Sequence, residues 1–169
     1  MAEQDRRWLM SAIVLSQLSP PSPTHYAVGA VVVDQAGTLL ATGYTGETGP
    51  HHHAEEAALA KLAGPRRPGL ANATIYSSLE PCTTRRSRPR TCTDLILAAG
   101  ITRVVIALRE PLLFADCHGV RNLRAAGVDV VEIGDLGYLV RDINAHLLGA
   151  VQAHQEQDHA YADVVPEEA

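Results

Sequence analysis

Apolar residues recur near helical spacing at Trp8, Leu9, Ala12, Ile13 and Leu15, and the run Ser19-Pro20-Pro21-Ser22-Pro23 stops the pattern, because proline removes the N–H that a helix needs. The spacing predicts a first helix over residues 4–18. A continuous apolar stretch follows at 28–34, then Gln35-Ala36-Gly37 as a turn, then a second run at 38–43, which together read as an antiparallel hairpin. Beyond a glycine-rich loop, Ala54, Ala57, Ala58, Leu59 and Leu62 mark a helix over 53–63, closed by Gly64-Pro65. The pattern then alternates: strand 73–78, helix 92–99, strand 102–108, helix 117–126, strand 128–132 and a last helix over 136–153, with Gly100 and Gly127 at helix-ending positions. Strands alternating with helices of this length require parallel crossovers. The expected architecture is therefore α/β, a three-layer α/β/α sandwich around a mixed five-stranded sheet.

At 169 residues with 46% hydrophobic positions, the chain has the size and the apolar content for one domain. That domain is expected over 1–153, followed by a polar, acidic tail over 154–169. A net charge of -5 and a pI near 5.9 argue against a general nucleic-acid binder and toward small molecules as partners. The segment from Trp8 to Leu18 is too short, and too polar at Ser11, Ser16 and Gln17, for a membrane span. With no convincing cleavage signal behind it, a cytoplasmic protein is expected. Three cysteines are an odd number for a disulfide framework and fit a reduced compartment with some of them on a metal. Cys117 is then left over, as a small residue near a helix start.

Composition leaves the chemistry open; a short set of residues narrows it. His53-Ala54-Glu55 is followed by Pro81-Cys82 and then Cys92. One imidazole and two thiolates fill three positions of a tetrahedral zinc shell and leave the fourth for water. Zn2+ is thus the expected cofactor, held by His53, Cys82 and Cys92. Zinc brings the pKa of such a water down to roughly 7, and Glu55, two residues from the histidine, is placed to carry protons without being a ligand. A helix N-terminus at each ligand turn would further favour thiolate over thiol. Glu56 points about 100° around the helix from Glu55 and reads as a surface carboxylate. Glu80, in a Leu-Glu-Pro-Cys turn, reads as a backbone partner. His51 and His52 read as solvent-facing loop residues within reach of a substrate.

In order and residue type these positions match the H-x-E…P-C-x-x-C signature of zinc nucleobase deaminases, although nine residues rather than two separate the cysteines. That longer gap, with Val28-Gly29-Ala30-Val31-Val32-Val33, Leu79-Glu80-Pro81-Cys82, Cys92-Thr93-Asp94 and Ala98-Ala99-Gly100-Ile101, resembles the cytidine deaminase-like zinc deaminases. Within them it is similar to the deaminase domain of bacterial riboflavin biosynthesis, over about residues 4–133. The resemblance implies a cytidine deaminase-like fold, a homodimer, an aminoheterocycle substrate and Glu55 as the proton shuttle. It also implies changed substrate contacts. His25 stands where that family carries asparagine, and Glu110-Pro111-Leu112-Leu113 and Cys117-His118-Gly119 stand where it carries more polar runs. Candidate substrate contacts are His25, Ala54, His118 and, between the cysteines, Arg85, Arg86 and Arg88. Those arginines read either as forks for a substrate phosphate or as a solvated charged surface. Two other functions compete with the aminopyrimidine deaminase: a nucleoside or nucleotide deaminase of cytidine or guanine type, and a zinc-stabilised binding protein without turnover.

Overall fold

A computed structural model describes residues 2–63, 69–85, 88–111 and 117–148. The elements in chain order are α1 (Ala2–Ser16), β1 (Gly29–Val33), β2 (Leu39–Tyr44), α2 (Ala54–Lys61), β3 (Thr74–Leu79), α3 (Cys92–Ala99), β4 (Arg103–Leu108), α4 (Gly119–Ala125), β5 (Asp129–Glu132), a 3-10 turn (Gly134–Leu136) and α5 (Gly137–Ile143). Among the described residues the strands form one sheet in the order β2-β1-β3-β4-β5. β1 runs antiparallel to both β2 and β3, while β3, β4 and β5 are mutually parallel, joined through α3 and α4. This is the mixed five-stranded α/β fold that the hydrophobic pattern predicts.

Every residue of β1 is buried, because the strand lies between two others and is covered on both faces. The two faces can be read from two glycines. A Cβ on Gly29 would fall 2.0 Å from the Ala12 carbonyl oxygen of α1, and one on Gly43 would fall 2.2 Å from the Ala54 carbonyl oxygen of α2. Gly43 pairs with Ala30, one residue beyond Gly29, so α1 and α2 pack on opposite faces by the alternation of strand side chains. α5 joins α1 against β3 and β4, and α3 bridges α2 and α4 on the other side. The resulting layers are helix, sheet, helix.

Boundaries move by a residue or two where packing intervenes. α1 begins at Ala2 and ends at Ser16 instead of 18, its last turn tightening through Leu18 N–H to Leu15 O before the prolines. α4 starts at Gly119 rather than 117, and a Cβ at Gly119 would meet Pro81 O at 2.1 Å, so glycine lets the helix approach that turn. The single helix predicted over 136–153 begins as a 3-10 turn and is interrupted at Asn144. There the buried side-chain amide accepts from Ala27 N–H at 2.8 Å and donates to Ala27 O at 3.1 Å, tying α5 to the segment before β1. Helical turns resume at 145–148, and the rest of that helix and the 154–169 tail lie outside the described residues.

Candidate active site

His53 is the N-cap of α2, and Cys92 is the first residue of α3. Cys82 lies in the turn that leaves β3. These three come from separate stretches of chain, yet the sheet order delivers them to one place: one ligand atom from each lies within 4.8 Å of the others. His53 Nδ1 and Cys92 Sγ are 3.4 Å apart, and Cys82 Sγ accepts from the Cys92 backbone N–H at 3.3 Å. The Cys82 turn is fastened to the start of α3 by Thr93, whose backbone N–H and Oγ1 both donate to Cys82 O, at 3.2 and 3.0 Å. α3 itself opens with a capping box: Thr91 Oγ1 accepts from Asp94 N–H, and the Asp94 carboxylate accepts from Thr91 N–H. Such reciprocal caps satisfy donors that a helix start otherwise leaves unpaired.

The electrostatics follow from the crowding. Two sulfurs this close share one proton. The bond from Cys92, outweighing burial and assisted by His53, pulls the Cys82 thiol well below its ordinary pKa, while Cys92, hydrogen-bonded to Cys82 and fully buried, is pushed up. For His53, burial favours the neutral ring, but the bond to Cys82 and the charges of Cys82 and Glu55 raise its pKa. The donor set of one imidazole and two thiol groups suits zinc better than the oxygen-seeking cations.

Glu55 is 3% exposed, and Ser77 Oγ of β3 donates to its Oε1 at 2.9 Å. Burial raises the carboxyl pKa, opposed by the positive His53. Ser77 is a site residue that the sequence reading treats only as strand. Its signal is present in the sequence, since Ser77 and Ser78 are consecutive small hydroxyl residues in a buried strand, and buried polar groups require partners.

The remaining candidates separate into groups. His25 reaches the site mouth, its ring centroid 5.7 Å from that of His51 and its Nδ1 within 2.9 Å of Ser22 Oγ and 2.8 Å of Thr24 Oγ1. Burial, then the nearby His51, His53 and Arg85, lowers its pKa. Ala54 is fully buried in the apolar core, backbone included, so no part of it is open to solvent. His118 caps α4 and donates its N–H to Thr83 Oγ1 at 3.1 Å, one residue from Cys82. His51 is exposed, whereas His52 is half-buried and its Nδ1 is bonded to Thr48 Oγ1. Arg86, Leu112 and Leu113 lie outside the described residues.

Arg85 and Arg88 converge on Glu56, at 3.0 and 2.6 Å. The reading of Glu56 as a plain surface carboxylate is therefore corrected. It is half-buried between two guanidinium groups because the inter-cysteine loop folds back over the start of α2. Glu80 is the backbone partner expected, its two oxygens accepting from Val120 N–H at 2.7 Å and Glu110 N–H at 3.1 Å. Glu110 was missed as an ionisable group of this region; burial pushes its carboxyl up to about 7.

The class these residues define is a mixed five-stranded α/β fold with an imidazole–dithiol cluster able to hold a metal ion beside a buried carboxylate, at the end of the central strand β3. The sequence profile described as the cytidine and deoxycytidylate deaminase zinc-binding region matches residues 2–108, and the chain belongs to that family. It is 38% identical over 127 residues to a diaminohydroxyphosphoribosylamino-pyrimidine deaminase of Schizosaccharomyces pombe, covering 74% of this chain and 31% of the relative. Among solved structures it is similar to a diaminohydroxyphosphoribosylaminopyrimidine deaminase/5-amino-6-(5-phosphoribosylamino)uracil reductase from Thermotoga maritima, with TM-score 0.68 and 32% identity over 83% of this chain and 39% of that one. An Aspergillus oryzae Rib2 deaminase in complex with DARIPP superposes with TM-score 0.62 at 25% identity, covering 76% of this chain and 84% of that one. The chain thus spans about a third of the length of the curated relative it matches.

Proposed function

We propose that this protein is a zinc-dependent hydrolytic deaminase that converts an amino-substituted pyrimidine, or a related heterocycle, to its oxo form with release of ammonia. The observation that carries this reading is the convergence of His53, Cys82 and Cys92 beside the buried Glu55. Zinc, when bound by these three, supplies a Lewis acid that makes water nucleophilic near neutral pH. Glu55 moves the protons. Its carboxylate takes one from the attacking water and gives it to the ring nitrogen beside the amine-bearing carbon. It then takes the proton left on the new oxygen and delivers it to the departing amine, so water and amine become oxo group and ammonia. Ser77 fixes one carboxylate oxygen during this exchange, and burial keeps its proton affinity high enough to give as well as take.

Support for a riboflavin-pathway type of ring comes from the relatives, one named for that deaminase and one solved with DARIPP. The second reading, a cytidine-type nucleoside or nucleotide deaminase, draws on the family description. His25 and His118 are the contacts expected to select among these rings. We also infer a cytoplasmic homodimer. A reduced compartment is supported by three free cysteines, and pairing by an open cavity of about 300 Å³ between α2 and α3, whose apolar lining of Leu59, Leu70 and Leu95 is flanked by Glu56 and Arg90. No helix among the described residues is long and apolar enough to cross a membrane.

The test is elemental analysis followed by ammonia release on the riboflavin-type aminopyrimidine, cytidine and guanine compounds, each with and without phosphate. The wild-type protein is expected to hold one zinc per chain and Cys82→Ser to lose it to a chelator. Glu55→Ala is expected to keep the metal and lose at least about 100-fold in turnover. Loss of zinc along with activity would make Glu55 structural. A zinc-loaded protein inactive on the whole panel would favour the binding-protein alternative.

A further inference from the structure

Arg85 has 3% of its side chain exposed, in a segment that sequence alone reads either as a phosphate-binding run or as a solvated charged surface. Its guanidinium reaches three stretches of chain at once. Nη1 donates to Glu56 Oε2 at 3.0 Å and passes within 3.5 Å of the Arg90 carbonyl, and Nη2 donates to the His51 carbonyl at 2.6 Å. His51 and Glu56 bracket His53, Arg90 is two residues before Cys92, and Arg85 itself is three residues after Cys82. The side chain therefore touches near neighbours of His53 and of Cys92, from a residue that follows Cys82 in the same segment. No other described guanidinium has this placement: Arg103 serves Asp5 and Asp129, Arg109 and Arg124 serve Glu132, and Arg6 serves Asp135.

We propose that Arg85 is a positioning residue of the metal centre, a strut that locks the segment between the two cysteines to the start of α2, with Glu56 as its counterion. This rests on the zinc-deaminase reading above. Thr93 already fastens the Cys82 turn to the start of α3, but those bonds do not fix the separation of the cysteine pair from His53 at the start of α2. A planar fork with several donors in rigid relation can fix it, whereas a single point charge cannot. Partners of this kind, outside the ligand shell, commonly set metal affinity by about 10- to 100-fold. The same engagement turns the terminal nitrogens of Arg85 away from phosphate binding, since both are bonded inward, while its buried Nε has no hydrogen-bond partner among the described residues. Arg88, more exposed and bonded to the other oxygen of Glu56, stays at the rim.

The experiment measures zinc release from the loaded protein to a chromophoric chelator, with thermal unfolding confirming that each variant is folded. Arg85→Ala and Glu56→Ala are each expected to release zinc about 10- to 100-fold faster, and the double variant to be no faster than Arg85→Ala, because the two act as one unit. Arg85→Lys keeps the charge and spares folding but loses the fork, and it too is expected to release zinc faster than wild type. Arg6→Ala, which removes an exposed arginine of α1, is expected to release zinc at the wild-type rate. In turnover, Arg85→Lys should lower kcat alike on phosphorylated and unphosphorylated substrates with little change in KM. Wild-type zinc release in both Arg85 variants would overturn the strut, as would a rise in KM confined to phosphorylated substrates, or an equal effect from Arg6→Ala. Wild-type protein that holds no zinc would instead overturn the metal centre itself, and the strut with it.

Discussion

Asp5 belongs to the first helix, yet its carboxylate is buried and is bonded by Arg103 Nη1 and Nη2 at 2.8 and 2.9 Å and by Tyr76 Oη at 2.9 Å. One side chain thus joins α1 to β3 and β4. Burial alone would raise its pKa, but the bonds from Arg103 and Tyr76 outweigh it and hold the carboxyl below its ordinary value of 3.8. A lowered pKa in the folded state means stability that is complete above the ordinary value and lost as the pH falls through the folded one. Asp5→Asn is therefore expected to cost about 1.5–3 kcal/mol at pH 7, with the deficit shrinking below about pH 4 as the wild type loses the same charge. Thermal unfolding across that range checks it; a deficit that did not change with pH would show that the ion pair contributes nothing. The residue scale is also where the sequence reading was weakest. Ser77, Glu56 and Asp5 act through partners 22, 29 and 98 positions away, and no local pattern announces a partner that distant.

At the scale of elements, close approach decides more than propensity does. Gly29 and Gly43 allow α1 and α2 to lie against the sheet with carbonyl oxygens where a Cβ would be. Gly29→Ala is expected to destabilise the protein by about 2 kcal/mol, lowering Tm by roughly 4–8 °C for a chain of this size. Gly43→Ala should add a functional loss, since it pushes on the helix that carries His53 and Glu55. An unchanged melting temperature in Gly29→Ala would mean that α1 moves freely against β1. The elements themselves were largely legible, because burial on one face imposes period 2 or 3.6 on the sequence. The interruption of the last helix was not, since Asn144 is bound by Ala27, which is 117 positions away, and an asparagine in a polar stretch gives no sign of that.

For the whole molecule, the sheet order β2-β1-β3-β4-β5 brings the turn after the central strand β3 and the starts of α2 and α3 together at one end of that strand. Two parallel crossovers and one antiparallel hairpin suffice to assemble a centre from residues 39 positions apart. The homodimer is expected at micromolar concentration by sedimentation, with a monomer rejecting it. A Leu95→Glu change on α3 should weaken the pair if the cavity between α2 and α3 is its seat, and a dimer of unchanged strength would place the contact elsewhere.

By itself the sequence determined the element order, the α/β class and the His, Cys and Glu residues that the fold then gathers in one place, because hydrophobic period and side-chain chemistry are properties of residues in a row. Tertiary structure alone decided which charges are committed inward. Arg85 and Arg88 look alike in the chain, four arginines in a short polar run, yet one is buried against Glu56 and the His51 carbonyl while the other stays at the rim. The difference arises because the loop folds back over the start of α2, and the free energy of a charge depends on the partners and solvent around it in space rather than on its neighbours in sequence.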